Sequence, residues 1–125
     1  MRQIHIPTAI SPTPSPQEML VAQIISEYFD SDITFIKRHK NTKTADIRFK
    51  NMAWEIKSPL GNGKRTMQNN LRSANSQSPN IIISLIQCKM YSNQAISRIK
   101  YELSKANTVK HLIVIKKDKK IIVLK

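Results

Sequence analysis

Two short runs near the middle of the chain alternate by twos. Ala45, Ile47 and Phe49 interleave with Asp46, Arg48 and Lys50, and Met52, Trp54 and Ile56 interleave with Ala53, Glu55 and Lys57. Period-two alternation is the mark of half-buried strands. Lys50-Asn51 between them is short enough to close a hairpin, and asparagine tolerates the positive φ that such turns need. The ladder then pairs Phe49 with Met52 and Ile47 with Trp54. It also sets Asp46 directly opposite Glu55, with Lys57 two residues further along the same face.

The rest of the chain supplies the layers around this hairpin. A helix is predicted from Ser15-Pro16, with serine as the cap and proline in the first turn, where its missing N–H costs nothing. Leu20, Val21, Ile24, Ile25, Tyr28 and Phe29 give it a wide apolar stripe. Asp30-Ser31-Asp32 ends it, and Ile33–Ile36 makes a strand. Residues 37–43 form a basic connector that includes Lys40 and Lys43. After Pro59, Lys64-Arg65-Thr66 leads a helix to about Gln77, with Met67, Leu71 and Ala74 as its apolar contacts. Ser78-Pro79 breaks that helix, and the apolar run Asn80–Ile86 reads as a fully buried strand. Asn93–Ala106 is a second amphipathic helix, and His111–Ile115 with Ile121–Leu124 closes the chain as a hairpin. The order αβββαβαββ predicts an α/β fold, a central mixed sheet flanked by helices. Residues 1–15, with Pro7, Pro12 and Pro14, read as a Pro-rich extended arm open to partial ordering by strand addition, and residues 16–125 as the domain.

Charge narrows the partner. The chain has 125 residues, 21 Lys and Arg against 8 Asp and Glu, and a net charge of +13. Residues 1–36 hold one Arg and four acids, so the remaining 20 bases and four acids leave an excess of 16 after residue 36. Basic surface on this scale suits a polyanion, and nucleic acid is expected ahead of a membrane surface. Lys40, Lys43, Lys64, Arg65 and Arg72 are candidate phosphate contacts. Thr66, Asn70 and Gln77, on nearly one helix face, are candidates for phosphate or base edges. The single cysteine, Cys88, excludes an internal disulfide or a Cys-rich zinc site. No run resembles a signal peptide or membrane span, which predicts a cytoplasmic site of action.

Opposed carboxylates on a sheet destabilise it. A hard divalent cation, held by one or two carboxylates with water and substrate phosphate, removes that conflict. Asp46, eight residues, Glu55, one residue, Lys57 is the spacing D-x8-E-x-K. On two paired strands it resembles the site of the PD-(D/E)XK nuclease superfamily, although Ala45 stands where that family has proline. From about Glu18 to Leu124 the chain is also similar to the C-terminal tRNase domain of contact-dependent growth inhibition proteins (the CdiA toxins). Ala45-Asp46, the string from Trp54 to Pro59, Thr66–Arg72, Gln77-Ser78 and Asn80–Ile83 carry that likeness. It implies a metal-dependent endonuclease acting on structured RNA, tRNA by preference, either as an excised toxin module or as an intracellular relative. Asp46, Glu55 and the backbone carbonyl of Ile56 would then hold Mg²⁺ or Mn²⁺, and Lys57 would position water or offset charge. Glu18 is either an additional ligand or an acid complementing its helix dipole. A metal-free route would use the RNA 2′-hydroxyl with Lys57 and His39. A DNA-directed nuclease and a non-catalytic nucleic-acid binder are the alternatives. A nuclease that harms its maker is expected to travel with an acidic immunity or inhibitor protein.

Overall fold

The computed structural model describes residues 2–8, 13–37 and 43–125. Its elements are β1 (Ile4–His5), α1 (Pro16–Phe29), β2 (Ile33–Phe35), β3 (Ile47–Phe49), β4 (Met52–Lys57) and α2 (Thr66–Gln77). They continue with β5 (Asn80–Ser84), α3 (Ser92–Lys105), β6 (His111–Ile115) and β7 (Ile121–Val123). The seven strands form one sheet in chain order. β1 and β2 are parallel, β2–β3–β4 antiparallel, β4–β5–β6 parallel and β6–β7 antiparallel. The expected order αβββαβαββ is present, with one strand added in front. Residues of the Pro-rich arm make that edge strand, because the Gln3 carbonyl accepts the Ile33 N–H at 2.9 Å. A pairing across 30 residues leaves no local trace in the sequence.

Alternation sorts the inner strands into two cores. Ile82, Ile113 and Ile115 join Ile47, Phe49, Trp54 and Ile56 under Val21, Ala22 and Ile25 of α1. Ile81, Ile83, Leu112 and Val114 face the other way, under Met67, Leu71 and Ala74 of α2 and Ala95 and Ile99 of α3. β5 is buried at every residue, as an unbroken apolar run in a covered parallel strand should be. The α1 stripe is narrower than its sequence suggests: Tyr28 is 58 % exposed and packs edge-on against Phe29.

The hairpin forms at the expected residues. Lys50 and Asn51 both take positive φ, 51° and 62°, as a two-residue turn matched to strand twist requires. Phe49 pairs with Met52 and Ile47 with Trp54. Trp54, Glu55 and Ile56 are all buried, so β4 is an inner strand covered on both faces, not a half-exposed one.

Candidate active site

β3 is three residues long and β4 is six, so β4 runs on past the point where its partner ends. Asp46 stands at that point, and its geometry departs from the simple ladder. Its N–H donates to the Trp54 carbonyl at 2.9 Å, the residue already paired with Ile47. Asp46 is therefore not the ladder partner directly opposite Glu55. The chain bends there, in the manner of a bulge, and the Asp46 carboxylate covers the free β4 edge instead: Ile56 N–H donates to Asp46 Oδ2 at 2.8 Å. The two acids still meet, because that edge carries Glu55 next to Ile56.

Asp46 and Glu55 are each only 6 % exposed. Burial pushes the Glu55 carboxyl up from its ordinary 4.5 to about 8, the charge of Asp46 and a hydrogen bond with it add to the rise, and Lys57 opposes it. Lys57 Nζ lies 3.5 Å from Glu55 Oε2. Glu55 Oε1 is buried without a hydrogen-bond partner. Neighbouring groups fix this strand in place. Ser78 Oγ and Asn80 Nδ2 both donate to the Ala53 carbonyl, at 2.8 and 3.1 Å, tying the end of α2 and the start of β5 to β4.

These side chains open into a cavity of about 590 Å³ that also receives Ser15, Gln17, Glu18, Thr44, Ser58, Leu60, Gln77 and Gln87. Glu18 reaches it from the first turn of α1 while completing a capping box: Glu18 N–H donates to Ser15 Oγ at 3.1 Å, and Ser15 N–H donates to Glu18 Oε1 at 2.9 Å. Asp46, Glu55, Ile56 and Lys57, together with Glu18 and Gln77, line this one cavity. Thr66 and Asn70 share the helix face of Gln77, yet they do not line the cavity. A face is not a height: Thr66 and Gln77 lie about 16 Å apart along the axis at 1.5 Å per residue, and the Asn70 amide donates to the Thr66 carbonyl. Arg72 lines a separate cavity between α2 and α3 with Glu102 and Lys105. Lys43, Lys64 and Arg65 are exposed and outside the cavity lining. Lys40 and His39 lie outside the described residues. Gln17, Ser15 and Gln87 were not legible as site residues, because only the tertiary fold brings the start of α1 and the loop after β5 to this sheet end.

Two acidic side chains supply hard oxygen donors, and a lysine stands beside them. Among the described residues, no three His, Cys, Asp or Glu side chains gather closely enough to hold a metal unaided. The unpartnered, buried Glu55 oxygen beside a second carboxylate fits an ion that completes its shell with water and substrate phosphate. Among the described residues, no helix is long and apolar enough to cross a membrane.

The sequence profile of the contact-dependent growth inhibition CdiA C-terminal domain matches residues 43–121. The fold is similar to that of a solved structure described as a CdiA-CT/CdiI toxin and immunity complex from Burkholderia pseudomallei. The TM-score is 0.67 at 15 % identity, over 100 % of this chain and 99 % of that one, a likeness of fold. No curated protein sequence matches the chain.

Proposed function

The chain belongs to the contact-dependent growth inhibition CdiA C-terminal domain family, and from that premise we propose that it is a toxin module that hydrolyses phosphodiester bonds in RNA, tRNA by preference, with a PD-(D/E)XK-type site. The observation that supports this most is the buried Asp46–Glu55 pair with Lys57 ion-paired beside it at the cavity wall. A buried pair of acids that repel each other is costly for a fold to keep. It is reasonable where a cation and a phosphate are to be received.

Asp46, Glu55 and the Ile56 carbonyl would hold Mg²⁺ or Mn²⁺. Bound there, such an ion supplies Lewis acidity toward the scissile phosphate and lowers the pKa of a bound water. Ile56 N–H keeps the Asp46 carboxylate aimed at the β4 edge. Lys57, three-quarters buried, sits where it can orient the attacking water or offset charge as the phosphate becomes more negative. Glu18, tied into its capping box, would at most act through water. The basic residues outside the cavity, Lys43, Lys64, Arg65 and Arg72 among them, would hold RNA backbone.

The same net charge of +13 favours an acidic immunity protein as partner, steered by complementary potential. The similar Burkholderia structure is a toxin with its immunity protein, and we extend that pairing to this chain. The deciding experiment incubates the protein with total tRNA and with plasmid DNA, each with Mg²⁺ or with EDTA. Cleavage of tRNA that EDTA abolishes is expected. Cleavage of DNA alone, or tRNA cleavage indifferent to EDTA, would overturn the substrate or the metal respectively.

A further inference from the structure

Leu60 and Gln87 line the catalytic cavity from two surface segments that are tied to each other. Lys89 N–H donates to the Leu60 carbonyl at 3.0 Å, and Cys88 Sγ to the Gly61 carbonyl at 3.3 Å. Arg98 Nη1 donates to the Lys64 carbonyl at 3.0 Å, which ties the first of these segments to α3 as well. On this rim Leu60 is 59 % exposed and Tyr91 81 % exposed. The other two tyrosine rings have company: Tyr28 packs edge-on against Phe29, and the Lys105 ammonium lies over Tyr101. Among the described residues, no aromatic ring or cation lies against Tyr91. It stands between buried Met90 and the start of α3, so its backbone is held while its ring is in solvent. Residues 58–101 carry six Lys and Arg and no Asp or Glu. An exposed ring and an exposed leucine amid bases alone have the composition of a surface that stacks nucleobases and holds phosphates.

We propose that Leu60, Lys89 and Tyr91 form a stacking shelf beside the catalytic cavity, on which an unpaired base of the RNA lies. The proposal rests on the RNA-cleaving reading of the site and adds the class of substrate structure, a strand unpaired next to the cut bond. Tyr91 is four residues from Gln87 in the cavity wall, so their Cα atoms lie at most about 14 Å apart. A nucleotide close to the one in the cavity therefore reaches the ring. Inside a duplex both faces of a base are covered by its neighbours, so a tyrosine ring takes a base that has left the stack. Such stacking tolerates any base, since each has a π-face. Leu60 offers an apolar contact on the cavity side, and Lys89 between them a charge for phosphate. The shelf thus favours loops and single strands over stems, without reading their sequence.

Binding is measured in EDTA on the Glu55→Gln protein, so that the RNA stays intact. The probes are a short single-stranded RNA and an abasic ribose-phosphate chain of the same length. Added to Glu55→Gln, Tyr91→Ala should weaken binding of the RNA about 10-fold, the loss of one stacked base, and leave the abasic chain unaffected. Tyr91→Trp should restore the RNA affinity. Lys89→Ala should weaken both probes alike, because phosphate is common to them. If Tyr91→Ala does not fold, as judged by circular dichroism, Tyr91→Ser takes its place. Equal affinity of the Glu55→Gln protein for the two probes, or an equal loss on both in Tyr91→Ala, overturns the shelf. So does unchanged RNA binding by Tyr91→Ala, which leaves the exposed ring to a protein partner. In each of these cases tRNA cleavage by the wild type keeps the nuclease reading standing. A wild type that cuts no RNA removes that reading, whereas a Tyr91-dependent preference for the base-bearing strand would still show the shelf.

Discussion

The two halves of the sheet differ in strand length and in what they hold. β4–β5–β6 are five or six residues long, parallel and buried on both faces; β2 and β3 are three residues each. Within the long half, β5 and β6 make a slab of isoleucine, leucine and valine. The short half stops early, and the vacated edge of β4 is where Asp46, Glu55 and Lys57 meet. Matched strands would have paired that edge and left no place for a ligand. The long half stabilises, and the mismatch with the short half makes a site.

Substitutions at the mismatch should strike activity and spare the fold. Glu55→Gln and Lys57→Ala are each expected to lower tRNA cleavage by about 10³-fold, equivalent to ~4 kcal/mol, while both chains stay folded with a cooperative melt. Rate assays and thermal melts in one buffer check both, and wild-type rates in either variant would remove the motif from the mechanism. In the slab the pattern should reverse. Ile82 is fully buried, so Ile82→Ala should cost about 3–4 kcal/mol in urea unfolding, while the fraction that remains folded cleaves at the wild-type rate.

The pH dependence of stability sharpens the contrast because it is confined to the mismatch. The folded chain holds the Glu55 proton up to about pH 8, whereas the ordinary carboxyl releases it at 4.5. The proton thus binds the folded state more tightly, and that stabilisation is complete below pH 4.5 and lost as pH rises to 8. Wild type should lose on the order of 2 kcal/mol between pH 5 and 8 without metal, and Glu55→Gln should lose much less. Parallel curves for the two proteins would show that Glu55 is not held protonated. The smallest effect belongs outside both regions: Tyr28→Ala should change stability by less than ~0.5 kcal/mol, as at an exposed surface position. A loss above ~1 kcal/mol in the same melts would mean that the ring is packed.

The sequence announced what is local and missed what is not. The Lys50–Asn51 turn and the Phe49–Met52 pairing follow from two-residue periodicity and turn chemistry, and the burial of β5 from its unbroken apolar run. The helix cap at Ser15 follows from its serine, proline and Glu18. Asp46 and Glu55 were legible as a facing pair, but not the bend by which Asp46 leaves the ladder, since a bulge adds a residue to one strand without marking it in composition. β1 was legible only as an arm open to strand addition, because two residues paired at long range carry no period. Gln17 and Gln87 escaped because an isolated glutamine reads as solvated surface until the fold sets it in a cavity wall. Tyr28 fell within a helical stripe drawn too wide. Periodicity gives the direction of a side chain and leaves open how far the neighbouring layer extends.

The helices on the two sides of the sheet carry opposite signs. α1 has Glu18 and Glu27 and no base, whereas α2 and α3 together have Arg72, Arg98, Lys100 and Lys105 against Glu102. A polyanion is therefore drawn more strongly to the α2–α3 layer than to α1 itself, although Lys50, Lys119 and Lys120 stand beside α1 and offset its acids.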